Sequence, residues 1–88
     1  MISKESKIHI NCNTKEEQNM MLDIFEMLGI RWRGGENPRG YASFSTPMYY
    51  YLDDERISQG SGLTTSRNSI VASELRNQWI SLKIKKEK

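Results

Sequence analysis

The sequence predicts a small α+β fold: a two-layer sandwich with one main helix on a mostly antiparallel sheet, in the order β-α-β-β-β, followed by a short C-terminal helix or strand. Three observations predict it. Residues 7–11 alternate polar and apolar side chains with the period of two that is typical of a half-buried strand. Residues 15–28 carry an apolar stripe with the period of a helix. Residues 48–58 place β-prone side chains on both sides of an acidic turn, which indicates a hairpin.

Length and composition limit the chain to one domain, residues 1–88. The chain has 88 residues, of which 36% are hydrophobic, so the core is thin. We expect frayed termini at the polar residues 1–6 and at the lysine-rich residues 83–88. The sequence has no apolar run long enough for a membrane span, no apolar segment of a secretory signal, and a single cysteine, Cys12. These features favour a soluble cytoplasmic protein without a disulfide framework.

The basic residues are distributed unevenly. The formal net charge is +2, but residues 83–88 hold four lysines and one glutamate, so the rest of the chain is close to neutral. The six arginines all lie between positions 31 and 76, whereas the lysines lie near the two ends. Arginine has a planar donor group suited to specific contacts. We therefore expect a recognition surface in the middle of the chain rather than a strongly basic nucleic-acid footprint.

The main helix has a clear start and a clear end. Thr14 and Glu17 form the pattern of a capping box, in which Thr14 caps the backbone N–H of Glu17 and Glu17 reaches back to the N–H of Thr14. Gly29 supplies the left-handed position that ends a helix. The apolar stripe between them consists of Met20, Met21, Ile24, Phe25, Met27 and Leu28. The sequence thus predicts a helix over residues 15–28.

The segments after this helix alternate between strands and loops. Residues 30–33 alternate like a strand, residues 34–40 have the composition of a loop, and residues 41–45 suggest a short extended piece that Pro47 interrupts. Residues 48–52 and 56–58 are the two strands of the hairpin, and Asp53, Asp54 and Glu55 form its turn.

The C-terminal third is less regular. Residues 59–69 are rich in glycine, serine and threonine and predict a mobile loop, and residues 70–71 form a short apolar segment. Residues 72–79 have the spacing of a helix. Residues 79–85 fit either a helix or a strand, because their apolar residues satisfy both periods.

One helix can cover only one face of the sheet. Ile8, Ile10, Leu52 and either Ile30 or Trp32 are expected to face it. The opposite face is then exposed, or covered by the C-terminal segment or by another chain. An uncovered face of this kind leads us to expect a partner.

No pattern in the sequence assembles a catalytic or metal site. His9 and Cys12 are three positions apart in a strand, so they point to opposite faces and cannot form a nucleophile–base pair. The acidic turn at residues 53–55 lacks further oxygen ligands for calcium. The glycines at 34–35 and 60–62 match no phosphate-binding fingerprint, although residues 60–66 could hold an anion with backbone amides. We therefore expect no enzyme activity and no cofactor or metal.

Arginine and aromatic residues near two glycine-containing segments are the best binding candidates. Arginine can pair with phosphate or carboxylate, and tyrosine and tryptophan provide flat contact surfaces. The candidate binding residues are Arg31, Trp32, Arg33, Arg39, Tyr41, Tyr49 and Tyr51. The competing interpretation is that Trp32 anchors the core, that the arginines are solvated, and that the tyrosines reflect strand propensity only.

Three segments together resemble small accessory proteins encoded by bacteriophages and prophages: Lys7–Glu17, with a strand leading into a Thr-x-Glu-Glu helix; Phe25–Gly35, with Leu-Gly-x-x-Trp; and the tyrosine-rich Tyr50–Asp54. The resemblance implies a stoichiometric inhibitor of host or defence machinery, such as CRISPR–Cas or nucleotide-signalling immunity, acting in the host cytoplasm. It assigns no site residue.

Two functional hypotheses follow. The first is a non-enzymatic, phage-type accessory protein that binds and inhibits a host or defence factor. The alternative is a nucleic-acid- or nucleotide-binding module that uses the same arginine and aromatic residues. The expected partners are a host or defence protein or a nucleotide ligand, with nucleic acid and a homodimer as further options and no membrane.

Overall fold

A computed structural model describes residues 1–86, and within them it contains a five-stranded mixed sheet with two α-helices packed on one face. The elements are β1 (Ile8–Cys12), α1 (Lys15–Leu28), β2 (Arg31–Trp32), β3 (Met48–Asp53), β4 (Arg56–Ser61), β5 (Ser69–Val71) and α2 (Arg76–Lys86), with 3₁₀ turns at Arg39–Tyr41 and Ala72–Leu75. The strand order is β2-β4-β3-β1-β5. The α+β prediction is confirmed.

The middle of the sheet is antiparallel and its two edges are parallel. β3 pairs antiparallel with both β1 and β4, whereas β5 pairs parallel with β1 and β2 pairs parallel with β4. The predicted hairpin is therefore present, and β4 is longer than predicted. The sequence predicts only a short apolar segment at β5, because three residues are too few to show the alternation of polar and apolar side chains that is typical of a strand. Its strand conformation depends on Ile70 lying in register beside Ile10.

Helix α1 has the predicted bounds. The Thr14 hydroxyl accepts from the Glu17 N–H at 3.1 Å, and Gly29 ends the helix with φ 76°. The Glu17 carboxylate accepts from the N–H of Asn13 at 2.9 Å, one residue earlier than the predicted Thr14. The side chains of α1 that are fully buried in the core include Met21, Leu22, Ile24 and Phe25.

The C-terminal segment is a helix, so the strand option for residues 79–85 is wrong. Helix α2 packs beside α1 on the same side of the sheet. Its Trp79 indole donates to the Asp23 carboxylate of α1 at 3.1 Å. Residues 83–86 continue this helix instead of fraying, and residues 87–88 lie outside the described residues. In the described chain, the opposite sheet face is left without a helix.

The expectation of a frayed N-terminus is corrected at Ile2, which is 5% exposed and belongs to the core. Its backbone N–H donates to the Gln78 side chain at 2.9 Å, and its carbonyl accepts from the Gln78 amide at 2.7 Å. Residues near the two ends of the chain are therefore joined inside the molecule.

Two loop predictions also change. Residues 59–61 belong to β4, and the segment after them is held to the sheet by two bonds between the Asn11 side chain and the Thr64 backbone, at 2.9 and 3.1 Å. Tyr41 lies in a 3₁₀ turn, and residues 42–47 form no strand. No helix among residues 1–86 has the length and apolar character needed to cross a membrane.

Candidate functional site

The sheet face that points away from both helices is the main candidate surface. Ile10 of β1 and Tyr50 of β3 are buried under the helices, so the residues beside them in the strands point the other way. We call this surface the helix-free face and define it by His9, Asn11, Tyr49, Tyr51, Asp53 and Ser58. These side chains come from the three central strands, which gives them a fixed arrangement.

Three aromatic rings form the centre of the helix-free face. The His9 and Tyr51 rings are stacked with centroids 4.4 Å apart, and the Tyr49 ring lies 5.6 Å from His9. All three residues are half-buried. The Tyr49 ring extends across β4 above Gly60, where an added Cβ would overlap its Cζ and Cε1 atoms. The absence of a side chain at Gly60 therefore lets Tyr49 lie low across the sheet.

Charged and polar groups surround these rings. At one end, the Lys7 ammonium lies 3.8 Å from the Asp53 carboxylate, and Arg56 is the cross-strand partner of Asp53. At the other end, the bonds between Asn11 and Thr64 hold residues 62–68 against the sheet. The face thus has an aromatic centre and a polar rim.

Two of the predicted binding residues serve the fold. Trp32 is 6% exposed, and its indole N–H donates to the Pro38 carbonyl at 2.9 Å. Its position matches the competing interpretation of a core anchor. The Arg39 guanidinium donates to Asn19 and to Asp23 of α1, on the helix side of the sheet.

The ion pair at Asp23 favours the charged form of that carboxyl group. Burial by itself would raise its pKa, but hydrogen bonds from Arg39 and Trp79, together with the positive charges of Arg39 and Lys83, outweigh burial. The pKa of Asp23 is therefore held below its ordinary value, and Arg39 is engaged with α1.

The remaining predicted residues are partly or fully exposed but lie in two groups. Tyr49 and Tyr51 lie in the centre of the helix-free face, as described above. Arg31 and Arg33 are exposed near the outer edge of the sheet, and Tyr41 is 62% exposed with its ring edge-on to Trp32 at 5.6 Å. The structure therefore does not bring all seven candidates together.

The structure adds two candidate residues, His9 and Arg56, that the sequence interpretation leaves out of the candidate set. The sequence predicts a solvent-facing His9 and places Arg56 in the returning strand of the hairpin. Arg56 lies in register with Arg31 across the β2–β4 ladder, and His9 with Tyr51 across β1 and β3. The alternation around His9 could have placed it on the helix-free face together with Tyr49 and Tyr51, but no local signal indicates that β2 pairs with β4.

The one cysteine, Cys12, is not placed to act together with the one histidine, His9. Cys12 points into the core and His9 points to the opposite face, as predicted. Burial, and to a smaller degree the Glu17 carboxylate, raises the pKa of Cys12 from 9.0 to about 12. A thiol with such a pKa is a poor nucleophile near neutral pH. Among residues 1–86, no group of three His, Cys, Asp or Glu side chains is placed to hold a metal ion.

Comparisons of the chain with protein-family models, with curated proteins and with solved structures returned no match.

Proposed function

We propose that this chain is a non-enzymatic binding protein that attaches to a folded protein partner through its helix-free face. As the resemblance to phage accessory proteins suggests, the partner is a host or defence factor, and the chain inhibits it by stoichiometric binding. The observation that carries the proposal is the row of His9, Tyr49 and Tyr51 in the centre of a sheet face that no helix of residues 1–86 covers.

The anatomy of the face supports a protein partner. Protein interfaces have a desolvated centre rich in aromatic residues and a polar rim, and a few tyrosine and arginine residues supply most of the binding energy. Tyrosine contributes a large contact area for a small loss of side-chain entropy. The Tyr51 ring stacks on His9 and the Tyr49 ring lies directly over Gly60, so binding costs less side-chain entropy than it would for freely rotating rings.

The charges around the rings also favour a protein over a polyanion. The rim contains Arg31 and Arg56, but the carboxylates of Asp53, Asp54 and Glu55 lie at the same end of the sheet. A phosphate backbone would meet both signs of charge there, whereas a folded protein can present a matching pattern.

One observation favours nucleic acid as a second candidate. The tyrosine and histidine rings of the helix-free face, together with Arg31, Arg33 and Arg56 toward the β2 edge of the same sheet, have the composition of a surface that stacks bases and contacts phosphates. In that case the affinity would fall steeply between low and physiological salt.

Capture with matched variants tests the proposal. Tagged wild-type protein, Tyr51→Ala and the control Phe44→Ala are incubated with bacterial or phage-infected lysate, and the proteins bound in equimolar amount are quantified. We expect Tyr51→Ala to weaken binding by about tenfold or more, because truncating a central aromatic residue of an interface costs about 2 kcal/mol. Phe44 is an exposed aromatic residue in the loop before β3, beside Lys15 of α1, so Phe44→Ala should bind like wild type.

Equal capture by wild type and Tyr51→Ala would refute the helix-free face as the binding surface. A parallel titration uses fluorescent single-stranded DNA and RNA at 50 and 200 mM salt. Binding that is salt-sensitive and lost in Arg56→Ala would replace the protein partner with nucleic acid.

A further inference from the structure

Three arginines crowd one corner of the sheet. Arg31 and Arg56 are register partners on adjacent parallel strands, and both are exposed. Neighbouring strands lie about 4.8 Å apart, and like charges directly opposite each other are destabilising. The backbone N–H of Arg33 donates to the Ile57 carbonyl at 3.2 Å, which continues the same ladder by one position. We call Arg31, Arg33 and Arg56 the arginine corner.

Within residues 1–86, none of these three guanidinium groups lies within 4.0 Å of a carboxylate. Arg31 donates to the Gly35 carbonyl at 3.3 Å and to the Asn37 side chain at 3.2 Å, and Arg56 donates to the Glu55 carbonyl at 3.2 Å. These acceptors are neutral and engage only one nitrogen of each guanidinium, which carries five N–H donors in total. The corner therefore retains most of its donors and all of its positive charge.

Two acidic groups at this end of the sheet are engaged by lysines. The Asp53 carboxylate, opposite Arg56, lies 3.8 Å from the Lys7 ammonium, and the Glu55 carboxylate lies 3.7 Å from that of Lys4. Arg39 provides the contrast, because it is paired with Asp23 and bonded to Asn19. The fold can thus supply an arginine with a carboxylate, and at the corner it does not.

A small cleft adjoins the corner. It has a volume of about 270 Å³ and is lined by Trp32, Arg33, Gly34, Glu36, Tyr41, Ile57 and Ser58. The exposed ring of Tyr41 rests edge-on against Trp32 and supplies an aromatic lining. Arg33 supplies a cation and Ser58 a hydroxyl group. Glu36 also contributes a carboxylate, so we expect the cleft to disfavour a ligand that carries negative charge only.

We propose that the arginine corner binds a carboxylate that the protein partner presents next to an aromatic or apolar side chain, which enters the cleft beside Tyr41. This inference rests on the proposed function and specifies the chemistry of the partner: an aspartate or glutamate adjacent to a bulky side chain. The guanidinium group matches a carboxylate with two parallel hydrogen bonds, and Arg33 has no side-chain acceptor of its own within residues 1–86.

Amide NMR titrations with short probes test the site. The probes are the blocked peptide Asp-Phe-Asp, its neutral counterpart Asn-Phe-Asn, and inorganic phosphate. We expect saturable shifts at residues 31–36 and 56–58 with the acidic peptide, and at least tenfold weaker binding with the neutral peptide. Arg33→Gln and Arg56→Gln should each weaken the acidic peptide by about tenfold. Arg67→Gln, which changes an exposed arginine of the segment before β5, should leave its binding unchanged.

Three results would overturn the inference: no shifts at the corner, equal affinity for both peptides, or stronger binding of phosphate than of the acidic peptide. The last result would assign the corner to a phosphate-bearing ligand. If Arg33→Gln retains full partner capture while Tyr51→Ala loses it, the corner has no part in binding although the helix-free face does. The two proposals can therefore fail separately.

Discussion

At the scale of single residues, Gly60 and Tyr49 depend on each other. An added Cβ at Gly60 would overlap the outer atoms of the Tyr49 ring, which would have to leave its position across β4. We expect Gly60→Ala to displace Tyr49 and to lower the free energy of unfolding by about 1–2 kcal/mol, as overpacking does. Urea unfolding measures the loss, and NMR of the Tyr49 ring measures the displacement.

Gly40→Ala is the matched control, because a Cβ there meets only the Asn37 side chain at an ordinary 3.8 Å. It should leave stability within about 0.5 kcal/mol of wild type. In the Tyr49→Ala background, Gly60→Ala should lower the free energy of unfolding much less than it does in the wild-type background. If Gly60→Ala lowers the free energy of unfolding by the same amount with Tyr49 and with Ala at position 49, the two residues are not coupled.

Cys12 gives a second prediction at this scale. The thiol is fully buried and its pKa is raised to about 12. At pH 8, we expect the native protein to react with a thiol reagent roughly 10³-fold or more slowly than the urea-unfolded chain, since reaction requires opening of the core. Because the folded pKa lies above the unfolded one, this thiol also makes stability decline as the pH rises above about 9. Rapid modification of the native protein would contradict the placement of Cys12.

At the scale of elements, the β3–β4 turn contains local strain. Its two central residues, Asp54 and Glu55, both have positive φ, at 53° and 64°. A two-residue turn of this geometry favours Asn-Gly, and non-glycine residues pay about 1 kcal/mol for left-handed backbone. We expect Asp54→Asn/Glu55→Gly to raise the free energy of unfolding by about 1 kcal/mol, measured by urea denaturation.

The Glu55→Ala variant tests whether the expected gain in stability comes from relief of backbone strain or from removal of the Glu55 charge. It removes the carboxylate that lies 3.7 Å from Lys4 but keeps a Cβ in the left-handed conformation. Because an exposed ion pair contributes little, this variant should change stability by less than about 0.5 kcal/mol and should not be stabilising. An equal gain in both variants would mean that backbone strain is not the cause.

Helices α1 and α2 show why one element could be predicted and the other was ambiguous. Helix α1 has a local cap at Thr14 and a stop at Gly29, and both work without distant contacts. In α2, Ile80, Leu82 and Ile84 alternate along the sequence as in a strand. The structure buries part of Leu82 against the core and leaves Ile80 and Ile84 exposed. The sequence of this segment fits both the helical and the strand period, and only the position of the core decides between them.

At the scale of the whole molecule, Gln78 joins the two ends of the chain. Its side-chain amide forms hydrogen bonds with both the N–H and the carbonyl of Ile2, in a buried position. Gln78→Ala would leave these two backbone groups without partners, and we expect a loss of about 2–4 kcal/mol in the free energy of unfolding. Urea denaturation monitored by tryptophan fluorescence measures it.

Asn77→Ala serves as the control, because Asn77 is the exposed neighbour of Gln78 on α2. It should change the free energy of unfolding by less than about 0.5 kcal/mol. A loss of the same small size in Gln78→Ala would show that Ile2 and the residues around it are not held to the body through this side chain.

The candidate site was predictable only in part. Tyr49 and Tyr51 could be placed on one face because a strand alternates its side chains. Trp32 and Arg39 could not be removed from the candidate set, because their partners, Pro38 and Asp23, are identified only by packing. Arg56 could not be added, because its proximity to Arg31 depends on the parallel pairing of β2 with β4.

The sequence by itself determined the features that act over a few residues: the capped helix over residues 15–28, the hairpin, and the opposite orientations of His9 and Cys12. Tertiary structure decided that Ile2 enters the core, that α2 packs beside α1, and that three arginines meet at one corner of the sheet. The physical reason is the separation along the chain of the residues that interact. Caps, turns and strand alternation are set by neighbouring residues, whereas strand register and helix placement depend on which apolar surfaces, distant along the chain, are buried together.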